Sequence, residues 1–187
     1  MEGINFTKKH NILDLVLSGQ KTMFRIPARK KKGGHLFDTT KYSVGDKIAV
    51  LQSYKDAGYN PNDLLSVLEG NVKVHNIPAK DTKGWSKTAS ADPTLMPHVI
   101  QITNVKTEKV QDINDNDCRL EGIVPVAFDD LKTLDGCMPF EGYSLDGKTW
   151  LGDNPQEVFK SISDIVVKKD AWKNNTLVEC YTFRLIQ

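Results

Sequence analysis

The apolar positions of the first twenty residues recur at helical spacing. Ile12, Leu15, Val16 and Gly19 lie on one face, and Leu13 and Leu17 widen it. Thr7 is placed to cap the free amides and Gly19 to supply the left-handed stop, which predicts a buried helix over Thr7–Ser18. Its end turns through Gly19-Gln20-Lys21-Thr22-Met23-Phe24-Arg25 into a strand. Arg25, Arg29, Lys30, Lys31 and Lys32 then show no periodicity and predict an exposed basic loop. After the turn Val44-Gly45-Asp46, the run Lys47–Tyr54 reads as a mostly buried strand. Asn60-Pro61 is placed to cap a short helix carrying Leu64, Leu65 and Leu68. Asn71–Ile77 alternates as a strand, with Val72 and Val74 on one face. Residues 78–97 are polar and hold Pro and Gly, which predicts a long excursion over the surface. Val99–Val110 alternates with one slip, the mark of a bulged strand. Asn114 caps a short helix that buries Leu120 and ends at Gly122. Asn154-Pro155, with Glu157 third in the helix, opens the clearest helix, whose stripe is Val158, Phe159, Ile162, Ile165 and Val166. Val178–Ile186 closes as an alternating strand. Strands scattered among a few helices give an α+β class with a small barrel or curled sheet.

The chain has 187 residues, 39% hydrophobic and 26% charged, which is enough to form a core in one domain. Its 25 basic and 24 acidic residues exclude a polycation but not a local basic patch. No apolar run approaches the roughly 18 residues of a membrane span, and Met1–Lys9 lacks the order of a secretory signal. Cys118, Cys137 and Cys180, like His10, His35, His75 and His98, are scattered. They predict neither a disulfide framework nor a zinc site, and the expectation is a reduced, cytoplasmic protein without a cofactor.

Several segments, taken in order, resemble the ASCH family, a branch of the PUA-like fold, and its phage- and prophage-type members most of all. Leu17-Ser18-Gly19-Gln20-Lys21-Thr22 with Arg25 is similar to the family's helix-end signature. Tyr42-Ser43-Val44-Gly45-Asp46-Lys47 resembles the turn into the first long barrel strand. Gly84-Trp85 and Met96-Pro97 resemble the bounds of a variable loop, and Ile102–Lys106 through Val110–Ile113 the central strand. Cys118-Arg119-Leu120-Glu121-Gly122-Ile123 resembles the short helix ending in Glu-Gly, and Ala171-Trp172-Lys173-Asn174-Asn175 with the last strand the C-terminal part. The resemblance implies one domain over residues 1–187, with inserted loops near 56–97 and 136–154. It implies a small, mostly antiparallel β-barrel with flanking helices. The cleft would lie between the Lys21 segment and the Glu121 helix, roofed partly by the 78–97 loop. It further implies an RNA, nucleotide or nucleoside ligand. Some small bacterial ASCH proteins remove acyl groups from modified cytidines with a lysine, a threonine three residues later and a glutamate. Lys21 and Glu121 stand at the lysine and glutamate positions, and Phe24 stands where the threonine would be.

Amide hydrolysis requires a nucleophile, its deprotonation and stabilisation of the oxyanion. Lys21 can act as a base only if its surroundings lower its pKa, whereas pairing with Glu121 would keep it charged. Phenylalanine cannot be a nucleophile. Thr22 carries a hydroxyl but lies one strand residue from Lys21, on the other face. A water activated by Glu121 is the remaining route. Binding asks for less: Lys21, Arg25 and the loop Arg29–Lys32 supply charge, Phe24 or Tyr54 a stacking face, and Gln52 a reader of a base edge, with Thr22, Arg119 and Glu121 completing the candidate binding set. Each has a plainer reading too. Lys21 suits a solvated helix end, Glu121 an exposed acid, Phe24 a core position, Cys118 a structural thiol and the basic run a solvated loop. The candidate functions are thus an RNA- or nucleotide-binding domain, an amidohydrolase on acylated nucleosides, and a protein-interaction domain with a relic pocket.

Overall fold

The computed structural model describes residues 1–29, 39–69, 72–126 and 142–187. Lys30, Lys31, Lys32 and Cys137 therefore lie outside the described residues. Contacts divide the chain into two compact units. One comprises Met1–Phe6, Gly45–Gln101 and Leu185–Gln187, the other Thr7–Val44 and Ile102–Arg184.

In the first unit, strand β1 (Glu2–Ile4) runs parallel to β3 (Lys47–Val50). The other edge of β3 pairs antiparallel with the start of β6 (Val99–Lys109), Lys47 opposite Gln101. Strands β4 (Leu64–Glu69) and β5 (Val72–Pro78) form an antiparallel hairpin whose register shifts between Leu65 and Val67. This corrects the helix expected after Asn60-Pro61. Leu65 and Val67 are buried while Leu64 and Leu68 are 64% and 56% exposed, a period of two. Leu64, Leu65 and Leu68 alone fit either period, and pairing with β5 decides for the strand. Val72 is exposed, contrary to its expected shared face with Val74, which is half-buried. Residues 79–95 contain only short 3-10 turns, as expected, but the segment does not run wholly over the surface: Ala79 and Ala91, with Met96 just beyond, pack into the core of this unit.

In the second unit, α1 (Ile12–Leu17) buries Ile12, Leu13, Leu15 and Val16 as expected, but it begins five residues late. His10 and Asn11 hold φ of 53° and 57°, a left-handed corner that breaks the first turn. Strand β2 (Met23–Pro27) pairs antiparallel with β9 (Leu177–Leu185), and β9 lies between β2 and β6. Helix α2 (Asp115–Leu120) starts where Asn114 Oδ1 accepts the Asp117 N–H at 2.9 Å. Asp117 and Cys118 are its buried residues, and Leu120, expected inside, is half-buried. Strands β7 (Val124–Pro125) and β8 (Tyr143–Ser144) make a small antiparallel pair. Helix α3 (Pro155–Val166) begins at its predicted cap: Asn154 Oδ1 accepts the Glu157 N–H at 2.9 Å. It buries Val158, Phe159 and Ile162, worth about 1.5–3 kcal/mol each.

The fold is thus mixed α and β with mostly antiparallel strands. The expected closed barrel is not found among the described residues. The order β1, β3, β6 in one unit and β6, β9, β2 in the other is open at both ends. A sheet closes only when both of its edge strands find partners, and the outer edges of β1 and β2 are unpaired among the described residues. Among the described residues, no helix is long and apolar enough to cross a membrane.

Candidate functional site

The segment after α1 is stitched residue by residue to the end of α2. Gly19 takes a φ of 77° and turns the chain out of the helix. Gln20 Nε2 donates to Gly122 O at 2.8 Å, and the Thr22 N–H donates to Leu120 O at 2.8 Å. Between them Lys21 Nζ donates to the Glu121 carboxylate and, at 3.3 Å, to Glu121 O. Gly122 permits the approach. Its φ is 98°, and a Cβ there would stand 3.1 Å from Leu15 Cδ1 and 3.3 Å from Lys21 Cβ. Two short sequence motifs a hundred residues apart thus form one corner.

Arg25, two residues into β2, extends the cluster. Its Nη1 donates to Glu121 Oε1 at 2.5 Å, and its Nη2 donates to Glu108 Oε1 at 3.0 Å and Asp117 Oδ2 at 2.9 Å. Its guanidinium also lies over the Phe159 ring, 5.3 Å from the centroid. Lys106 Nζ completes the arrangement, 2.7 Å from Glu108 Oε2 and 2.6 Å from Asp117 Oδ2. Three cations, Lys21, Arg25 and Lys106, face three carboxylates, Glu108, Asp117 and Glu121. Lys21, Arg25 and Glu121 are each exposed by 2% or less, so Arg25 is not part of the solvated basic run the sequence suggested. Breaking such a buried pair costs about 3–5 kcal/mol, although an apolar replacement of the whole set is often no less stable.

The electrostatics follow from the burial. Burial pulls the Lys21 ammonium below the ordinary lysine range; Glu121 resists this and Arg25 adds to it. Burial also opposes charge on Arg25, but Glu121 leads the groups that hold it above the ordinary arginine range. In Glu108 the hydrogen bonds from Lys106 and Arg25 outweigh burial and lower its pKa. The thiols of Cys118 and Cys180 are pushed up to about 12, chiefly by burial, and stay protonated at neutral pH. They are poor nucleophiles. Among the described residues no group of three His, Cys, Asp or Glu side chains could hold a metal ion.

The predicted site residues have different fates. Lys21, Arg25 and Glu121 meet. Thr22 contributes its backbone, donating to Leu120 O and accepting from the Phe183 N–H at 2.8 Å. Arg119 is exposed on α2 and joins none of these ion pairs. Phe24 is 4% exposed and stacks on Tyr181 with centroids 5.1 Å apart, so it offers no open face to a base. Gln52 and Tyr54 belong to the first unit. Both are buried; Tyr54 Oη accepts the Asp92 N–H at 2.9 Å, and Gln52 Oε1 has no hydrogen-bond partner among the described residues. Lys106, Glu108 and Asp117 were not singled out from the sequence. One signal was present: a strand puts Lys106 and Glu108 on the same face. No family model, curated protein or solved structure matches the chain.

Proposed function

We propose that this chain is an ASCH-type, PUA-like domain that binds RNA or a nucleotide-like ligand at the Lys21–Arg25–Glu121 cluster. One observation carries the reading. The Arg25 side chain is 0% exposed, yet its Nε has no hydrogen-bond partner among the described residues. A buried donor left unused costs about 1–3 kcal/mol, and an acceptor on a ligand would satisfy it. Burial also favours a base or nucleoside over a phosphate backbone as the group that reaches Lys21, because phosphate attraction needs exposed cations. A covering side chain or loop must move to admit it.

Titration calorimetry with cytidine, CMP and a short RNA tests this. The expected result is saturable binding of at least one of them, weakened tenfold or more in Arg25→Met. Binding that ignores this substitution and falls steeply with salt would move the contact to surface cations. No binding by folded protein would overturn the reading.

The lowered pKa of Lys21 favours a second reading, an amidohydrolase on acylated cytidines. Neutral Lys21 would take a proton from water as it adds to the acyl carbonyl. The ammonium so formed would stabilise the oxyanion, and Glu121 would pass the proton on to the departing exocyclic amine. Mass spectrometry of N4-acylcytidines incubated with the protein separates the readings. Turnover abolished in Lys21→Ala supports the enzyme, and no turnover by folded protein counts against it.

A further inference from the structure

The six charged groups are not equally exposed. Lys106 exposes 35% of its side chain, Glu108 14%, Asp117 7%, and Arg25, Glu121 and Lys21 2% or less. The outer four close a ring. Lys106 bridges Glu108 and Asp117, and both carboxylates converge on Arg25 Nη2. Arg25 Nη1 then holds Glu121 Oε1, while Glu121 Oε2 holds Lys21. Cation and anion alternate from the surface to the innermost lysine.

We propose that Lys106 is a positioning residue: its ammonium, clamped between Glu108 and Asp117, sets the charge and orientation of Arg25's partners and through them the Glu121–Lys21 pair. The inference rests on Lys21 and Glu121 being the working pair, but it concerns residues to which the resemblance assigns no role. The physical basis is the charge count. With all six groups ionised the set is neutral. Without Lys106, two cations face three carboxylates, and Arg25 alone must satisfy Glu108, Asp117 and Glu121. The surplus negative charge then favours a proton on Lys21. With Glu108 neutralised, three cations face two carboxylates and the proton on Lys21 is disfavoured. Among the described residues, the other titratable groups acting at this centre include Cys118 on α2 and Cys180 on β9, whose Sγ lies 3.5 Å from Glu108 Oε1. Both keep their protons across the neutral range. Asp115, which acts on Cys118, lies in the first turn of α2.

The test is an NMR pH titration of the Lys21 side chain in protein carrying lysine labelled at Cε, its resonance assigned by its loss in Lys21→Met. Relative to the unsubstituted protein, Lys106→Met is expected to raise the Lys21 midpoint. Glu108→Gln is expected to lower it, and Lys106→Arg to leave it in place, because arginine restores the two-pronged clamp. A merely loosened core would let water in and raise the midpoint in both neutralising variants. Opposite shifts therefore support the inference, and shifts of one sign, or none, overturn it. If Lys106→Met does not fold, Glu108→Gln and Lys106→Arg decide alone: a downward shift in the first with none in the second supports the coupling, and any other pair of results overturns it. The midpoint is read without ligand. Its failure to move would leave the nucleotide reading standing, and a failure of nucleotides to bind would leave the coupling standing.

Discussion

Phe24 and Arg25 are neighbours in β2, and the structure inverts what their residue types suggest. The arginine belongs to a buried ion cluster, and the phenylalanine, at the position the resemblance gives to a threonine nucleophile, belongs to an aromatic core. Phe24 stacks on Tyr181 and meets Tyr42 at 77° and Phe183 at 43°. Phe24→Ala is therefore expected to destabilise the protein by about 3–5 kcal/mol, read as a lower urea midpoint with an unchanged slope. A loss under about 1 kcal/mol would mean that the ring faces open space and is free to serve a ligand. At this scale the sequence was legible where chemistry and motif coincided. Lys21 and Glu121 could be named because the Gly-Gln-Lys-Thr and Leu-Glu-Gly corners carry them, and Arg25 because it follows the first corner by three residues. Asp117 could not, because an acid in the first turn of α2 has a sufficient local explanation in the helix dipole. Its partners Arg25 and Lys106 are 92 and 11 residues away, a tertiary fact with no local trace.

Among the elements, α3 and β4 show what made a boundary readable. Asn154 and Pro155 mark the start of α3 by chemistry that works within four residues, so the cap and first turn fall where predicted. Strand β4 has no such mark. Its three leucines are compatible with a helix, and only the pairing of Leu65 with Ile77 and Val67 with Val74 settles the period. Neighbouring leucines make a direct test. Leu65→Ala should cost about 2–5 kcal/mol in denaturant unfolding, because Leu65 is 6% exposed in the core of the first unit. Leu64→Ala should stay within about 0.5 kcal/mol, because Leu64 is 64% exposed. Equal losses at both positions would contradict the alternation that defines the strand. The missing barrel has the same origin. Closure depends on which strands pair at the edges, and alternation within a strand carries no information about its neighbours.

For the whole molecule, a net charge of +1 conceals a consistent internal arrangement: carboxylates in both units are held ionised. In the first unit, burial opposes charge on Asp92, but the hydroxyl and N–H of Thr94 lower its pKa. In the second, Lys106 and Arg25 do the same for Glu108, and Tyr181, Lys41 and Arg29 for Glu179, again against burial. Asp146 is lowered chiefly by the Thr149 and Lys148 N–H groups, with no help from burial. In each case the folded state binds a proton more weakly than the unfolded chain. The stabilisation is then fully present above the ordinary values of 3.8 for Asp and 4.5 for Glu, and it is lost as pH falls through the lowered folded values. Glu179 gives this loss a structural consequence. Its carboxylate accepts the Lys41 N–H at 2.8 Å and the Arg29 N–H at 3.3 Å, so protonation weakens both anchors together. The melting temperature is therefore expected to stay level from about pH 7 to pH 5 and to fall steeply from about pH 4.5 downward. Calorimetry across that range checks it. In Glu179→Gln, which carries no charge to lose, the acid fall should be shallower and the neutral melting temperature lower. A melting temperature unchanged between about pH 5 and pH 3 would mean that these carboxylates do not hold the fold together.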